Sequence, residues 1–128
     1  MTTYRTPLGR VRGLGAAKHG VGDFIVQRLS GAALVLLLLW GVYAALGVAR
    51  AGYDGAVGWL HAPINTTGVI LVIAVAMLHM HIGMREIILD YIERPITKAG
   101  LLTLNVFVCA GGAALGAIAV LRVAFGAV

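Results

Sequence analysis

Two histidines, His79 and His81, lie in the segment HMHIGMREIILDY at residues 79–91, directly after a run of apolar residues that begins at Val69. A run of this kind is typical of a helix inside a bilayer, where an ionisable side chain is costly unless it has a partner. A neutral imidazole can bind a metal through one ring nitrogen, and haem iron is the usual metal for a lone histidine on a transmembrane helix. A hydrogen bond to a neighbouring helix is the alternative explanation.

Helical spacing separates the two histidines. At about 100° per residue, His79 and His81 point in directions about 200° apart, so they cannot share one site. From His79 to Asp90, by contrast, the helix returns to within about 20° of its starting direction after a rise of about 16 Å. His79, Gly83, Glu86 and Asp90 therefore follow one stripe. Gly83 lacks a side chain and would leave room beside His79 for a large flat group.

A six-coordinate haem needs a second axial ligand, and the other histidines are poor candidates. His19 belongs to the basic N-terminal segment, His61 is expected as a solvated or interfacial residue at the opposite membrane face, and His81 points away. The sequence therefore predicts that a partner subunit supplies the second ligand. Cys109 is the only cysteine, so we expect neither a disulfide nor a cysteine-based metal site.

The composition indicates a membrane protein, because 60% of the 128 residues are hydrophobic and only 12% are charged. Three apolar runs, at about residues 29–49, 64–89 and 101–125, each approach or exceed the roughly 20 residues that cross a hydrocarbon core. They are continuous rather than alternating, so we predict an all-α fold with three transmembrane helices in a single domain, residues 1–128. Residues 1–28 are expected to form a cytoplasmic basic arm and not a cleaved signal peptide.

The basic residues predict the orientation of the chain. Most of them lie in the N-terminal segment and in the second connection, which places the N-terminus in the cytoplasm and the C-terminus in the periplasm. The net charge of +5 suits anionic lipid head groups or a docked partner, and it does not require nucleic acid. The glycines of the arm do not match a phosphate-binding loop. The basic residues concerned are Arg5, Arg10, Arg12, Lys18, Arg28, Arg85, Arg94 and Lys98.

The third apolar run contains small residues, including Gly112 and Gly116 at a spacing of four. This spacing favours close approach of another helix. The helix that packs there could be the first helix of the same chain or a helix of another subunit, and the sequence does not decide between them.

Two segments together carry a resemblance to a known family. DFIVQR, residues 23–28, enters the first helix, and HMHIGMREIILDY closes the second with a histidine, an Ile-Gly pair and an Asp-Tyr pair at fixed spacing. This pattern resembles the small hydrophobic membrane anchor of succinate dehydrogenase, respiratory complex II. The basic arm, PLGRVRGLGAAK, is similar to that of alphaproteobacterial members. The resemblance covers nearly the whole chain, including its three apolar runs.

The resemblance implies a role for four residues. In this family the anchor and a second anchor subunit hold haem b between them, and the matching axial ligand is His79. Arg28 matches an arginine near the haem propionates. Some bacterial members have a histidine that joins it at the position of Gly22, where this chain has only glycine. Asp90 and Tyr91 match the Asp-Tyr pair of the quinone site.

The resemblance further implies the partners and the location. The expected partners are the second anchor, an iron–sulfur subunit and a flavoprotein subunit, all assembled at a bacterial inner membrane. The chain has no residues for succinate chemistry itself and would act in a succinate:quinone oxidoreductase, with ubiquinone favoured over menaquinone. Two alternatives stay open: the anchor of a quinol:fumarate reductase, and a cofactor-free scaffold of another membrane complex.

Overall fold

The computed structural model describes residues 6–8 and 20–126, and the long segment folds into three helices. They are α1 (Gly20–Leu60), α2 (Pro63–Tyr91) and α3 (Pro95–Ala124). Each is long and apolar enough to cross a membrane, which confirms the predicted all-α fold with three transmembrane helices. Most of the basic arm predicted for residues 1–28, with His19, lies outside the described residues.

All three helices extend beyond the apolar runs of the sequence. Their lengths are 41, 29 and 30 residues, whereas roughly 20 residues cross the hydrocarbon core. Residues 20–28, which the sequence assigns to the arm, form the first turns of α1 and carry Asp23, Gln27 and Arg28. The difference has a physical cause: hydropathy marks the part of a helix that lies in lipid, while the helix itself continues into the polar interface.

The first connection is much shorter than the sequence suggests, because the chain after Gly52 is also helical. Gly52 has φ 70° and ψ −169° inside α1 and produces a kink there; this conformation is essentially confined to glycine, and a residue with a Cβ adopts it only at a cost. After the kink the chain folds back, and the Trp59 ring lies 5.9 Å from the Trp40 ring. Only residues 61–62 separate α1 from α2.

Helix α2 is the central helix, since it packs against both α1 and α3, while α1 and α3 touch each other little. A Cβ added at Gly112 would lie 3.2 Å from the Met77 sulfur, and one at Gly116 would lie 3.0 Å from Ile73 Cγ2. The small residues of α3 therefore pack against α2 of the same chain. The sequence considered the first helix of the chain or a helix of another subunit, whereas Gly112 and Gly116 approach α2.

The described residues form a very small core. The buried side chains are half apolar and half polar, and many large apolar side chains on all three helices are exposed. Such a surface needs lipid or other subunits around it. The buried residues are Ile82, Ile88, Cys109, Ser30, Thr66 and Asn105.

Candidate functional site

His79 lies on the face of α2 that packs against α1, and both of its ring nitrogens contact α1 side chains. Ser30 Oγ is 3.0 Å from Nδ1, and Gln27 Nε2 is 3.4 Å from Nε2. The imidazole is half-buried. A histidine in the middle of an apolar helix thus has polar neighbours on the adjacent helix, as the cost of burying an ionisable group requires.

Two glycines allow this close approach of α1 and α2. A Cβ at Gly31 would lie 3.3 Å from His79 Cε1, and a Cβ at Gly83 would lie 3.1 Å from Gln27 Nε2. The room for a large flat group that the sequence suggests beside Gly83 stays a prediction. The group next to Gly83 in the structure is the amide of Gln27.

A groove of about 380 Å³ opens beside this amide, between the first turns of α1 and the second half of α2. Its wall includes Arg28, whose guanidinium carbon lies 4.5 Å from the centre of the Phe24 ring. Gln27 lines the groove and also contacts His79, so its side chain lies between the groove and the imidazole. The lining residues are Asp23, Phe24, Gln27, Arg28, Ile82 and Glu86.

An ion pair between α1 and α2 borders the same region. Arg85 Nη1 lies 2.5 Å from Asp23 Oδ2, and both side chains are more than one-third exposed. The pair was not identified from the sequence, where Arg85 was used only to predict the orientation of the chain. No spacing rule applies to two residues on different helices. The sequence offered one indication of the ion pair: Asp23 and Arg85 belong to segments that are both expected near the same membrane face.

Asp90 and Tyr91 form the last turn of α2, about 16 Å along the helix from His79. Both are exposed, and the Tyr91 side chain is 79% accessible. Lys98 Nζ donates a hydrogen bond to the Leu89 carbonyl at 3.0 Å, which caps the end of the helix beside them. The structure thus places Asp90 and Tyr91 at the end of α2 and does not bring them into contact with His79.

His81 points to the other side of α2, towards α3. Asn105 Nδ2 lies 3.2 Å from His81 Nδ1 and donates to the His81 carbonyl at 2.9 Å. The Cys109 thiol donates to Asn105 Oδ1 at 3.3 Å. These contacts make His81 a packing residue between α2 and α3, on the side of α2 away from His79 as the sequence predicts. Its buried partner Asn105 could not be identified from helical spacing.

The surroundings of His79 fit a haem in three respects. Nε2 faces a flexible glutamine side chain and not backbone, so the ring nitrogen can be uncovered by a rotamer change. Gln27 Oε1 is buried without a hydrogen-bond partner, which shows that the present amide position is not fully satisfied. Arg28 lies on the adjoining groove, where a guanidinium can pair with a carboxylate.

The described residues do not provide a site for a metal ion held by several side chains. Among residues 6–8 and 20–126, no three His, Cys, Asp or Glu side chains lie close enough to hold one. A single imidazole between helices is a donor that a porphyrin would accept, because the porphyrin brings four ring nitrogens of its own to the iron.

Comparison with known proteins gives the same family that the sequence resembles. The family model described as "Succinate dehydrogenase/Fumarate reductase transmembrane subunit" matches residues 2–118. The succinate dehydrogenase hydrophobic membrane anchor subunit of Rickettsia bellii is 28% identical over 90 residues, which are 70% of this chain and 72% of the relative. The protein of the same name from Rickettsia conorii is 27% identical over 91 residues, with the same shares of the two chains.

The family model covers nearly all of the helical region, including α1, α2 and most of α3. They confirm the resemblance that the two sequence segments carry. The chain belongs to the family of succinate dehydrogenase and fumarate reductase transmembrane subunits and is a membrane-spanning component of an oxidoreductase of that kind.

Proposed function

We propose that this chain is the hydrophobic membrane anchor of a succinate:quinone oxidoreductase and that His79 is one axial ligand of haem b. The observation that carries the proposal is the position of His79. In a chain of this family, it is a half-buried imidazole between two membrane helices, with Nε2 facing only a movable amide. A second membrane anchor provides the other axial ligand.

The other residues of the site act on the periphery of the haem. When bound, haem b supplies a one-electron carrier inside the membrane. Arg28 binds a propionate, because its guanidinium can form two parallel hydrogen bonds with a carboxylate at the membrane edge. Its position on the groove, against the Phe24 ring, supports this role. Gly22 has no side chain and adds nothing to that contact.

Tyr91 and Asp90 contribute to a quinone site at the end of α2. The Tyr91 hydroxyl donates a hydrogen bond to a quinone carbonyl oxygen, which draws electron density towards that oxygen and favours its reduction. Asp90 lies next to it and can hold a water molecule or a cation of the partner, and so pass protons to the site. The exposure of both side chains supports a site that is completed by another subunit. The quinone is ubiquinone.

The expected assembly follows from this role. An iron–sulfur subunit docks at the Asp90–Tyr91 end and receives electrons from a flavoprotein subunit that oxidises succinate. The N-terminus and the second connection face the cytoplasm and the C-terminus faces the periplasm of a bacterial inner membrane. A C-terminal reporter enzyme that works only in the periplasm should be active, and an inactive but expressed fusion would contradict this orientation.

Two other functions can be distinguished from the proposed one, namely that of a fumarate reductase anchor and that of a cofactor-free scaffold. The family model also covers fumarate reductase subunits, but the relatives described above are named as succinate dehydrogenase anchors, which favours succinate oxidation. A cofactor-free scaffold would give a colourless preparation.

The test is to purify the tagged chain from native membranes in mild detergent. We expect a flavoprotein, an iron–sulfur protein and a second small membrane protein to elute with it. We also expect b-type absorption bands after reduction. Co-elution without these bands would leave a scaffold and contradict the haem proposal, while absence of the flavoprotein would contradict the assignment to this enzyme.

A further inference from the structure

Ser30 is the buried polar residue that contacts His79. Its side chain is only 6% exposed, and its hydroxyl lies 3.0 Å from His79 Nδ1. The same hydroxyl donates to the Gln27 carbonyl at 3.1 Å, a common arrangement for serine in a helix. With the single hydroxyl hydrogen assigned to that bond, the oxygen accepts a hydrogen from the ring.

This order of donors and acceptors assigns one tautomer to His79. With its hydrogen on Nδ1, the neutral imidazole carries a lone pair on Nε2. Gln27 Nε2, at 3.4 Å, is then a donor facing that lone pair. The opposite arrangement would put the hydrogen on Nε2, and it would withdraw the Ser30 hydroxyl from the Gln27 carbonyl. The three contacts are therefore mutually consistent only when Nε2 is the nitrogen available for a metal.

The two hydrogen bonds of the His79 ring nitrogens differ in strength. The distance from Ser30 Oγ to Nδ1 is normal for an N–H···O bond, whereas 3.4 Å at Nε2 is long. Gln27 can move away at little cost, and its buried Oε1 lacks a partner in its present position. Ser30 is held in place by its bond to the Gln27 carbonyl and by burial, and water cannot easily replace it.

We propose that Ser30 is a positioning residue for the haem ligand: by accepting a hydrogen bond from His79 Nδ1, it orients the imidazole, presents Nε2 to the iron and increases the basicity of the ring. This inference rests on the proposed function, since it requires haem on His79. Oxygen acceptors behind a ligating histidine are known to fix its orientation and to tune the metal. A more basic imidazole stabilises the ferric state, so the bond lowers the reduction potential of the haem.

The experiment compares Ser30→Ala and Ser30→Thr in the co-expressed, assembled complex. Ser30→Ala should raise the midpoint potential of haem b and lower haem retention by about 10-fold or more. Ser30→Thr keeps the hydroxyl and should restore both values towards those of the unmodified protein. A merely structural role would not give a potential that depends on the hydroxyl.

A third variant covers the case in which Ser30→Ala does not assemble. Ser30→Cys nearly preserves the side-chain volume but replaces the oxygen with a weak acceptor, so it should also raise the potential. A parallel His79→Ala complex separates the two claims. Unchanged b-type bands in His79→Ala would overturn the proposed function and this inference with it. Loss of those bands, together with an unaltered potential in Ser30→Ala or Ser30→Cys, would overturn the inference alone.

Discussion

His79 shows what a single sequence can and cannot reveal at the scale of one residue. Its position in an apolar run, and its opposition to His81, follow from helical geometry and are borne out by contacts to different helices. Ser30 and Gln27 were not predictable, because they lie 49 and 52 residues away in the chain. Helical spacing relates residues within one helix and carries no information about which residues of another helix they meet.

The role of the Tyr91 hydroxyl can be tested by a substitution that removes this group alone. Tyr91→Phe removes one hydroxyl at an exposed position, so folding and assembly should be unaffected. If that hydroxyl binds the quinone, quinone reduction by the complex should fall by about 10-fold or more, in line with the loss of one polarising donor. Succinate oxidation measured with an artificial dye that bypasses the quinone should stay the same.

The matched control is Tyr53→Phe, which removes the same group from an exposed tyrosine beside the kink of α1. It should leave both assays unchanged. Equal losses in the quinone and dye assays for Tyr91→Phe would contradict its assignment to the quinone site.

At the scale of the elements, hydropathy correctly predicted three helices but not where they end or how they bend. The kink at Gly52 and the short connection at residues 61–62 follow from backbone conformation, which hydropathy does not report. The small residues of α3 were correctly identified as a packing face, yet their partner is α2. Placing α2 in the middle allows one helix to present His79 to α1 and His81 to α3.

The kink at Gly52 predicts that a larger residue at this position lowers the stability of the protein. Gly52→Ala puts a Cβ on a residue with φ 70°, and should lower the free energy of unfolding by about 1–2 kcal/mol. Gly58→Ala is the control, since Gly58 is exposed, lies in the same helix and has open space around its Cα. It should be neutral or slightly stabilising. Unfolding of the purified protein in detergent micelles measures both, and equal stability of the two variants would contradict strain at the kink.

At the scale of the whole molecule, the proposed cofactor site is incomplete within this chain. The described residues bury few side chains, and large apolar side chains remain exposed along every helix. Each group of the proposed site needs a partner from outside the chain. These groups are one imidazole, one arginine and an exposed Asp-Tyr pair. The family supplies the reason: this is a subunit of a larger oxidoreductase, and its chemistry depends on surfaces that other subunits complete.

The most direct test is the reduced-minus-oxidised spectrum of the assembled complex with His79→Ala, set beside His61→Ala, which removes an exposed histidine from the turn before α2. The b-type bands should be lost or strongly shifted in His79→Ala and retained in His61→Ala. An unchanged spectrum in His79→Ala, with all subunits present, would contradict the assignment of His79 as the haem ligand.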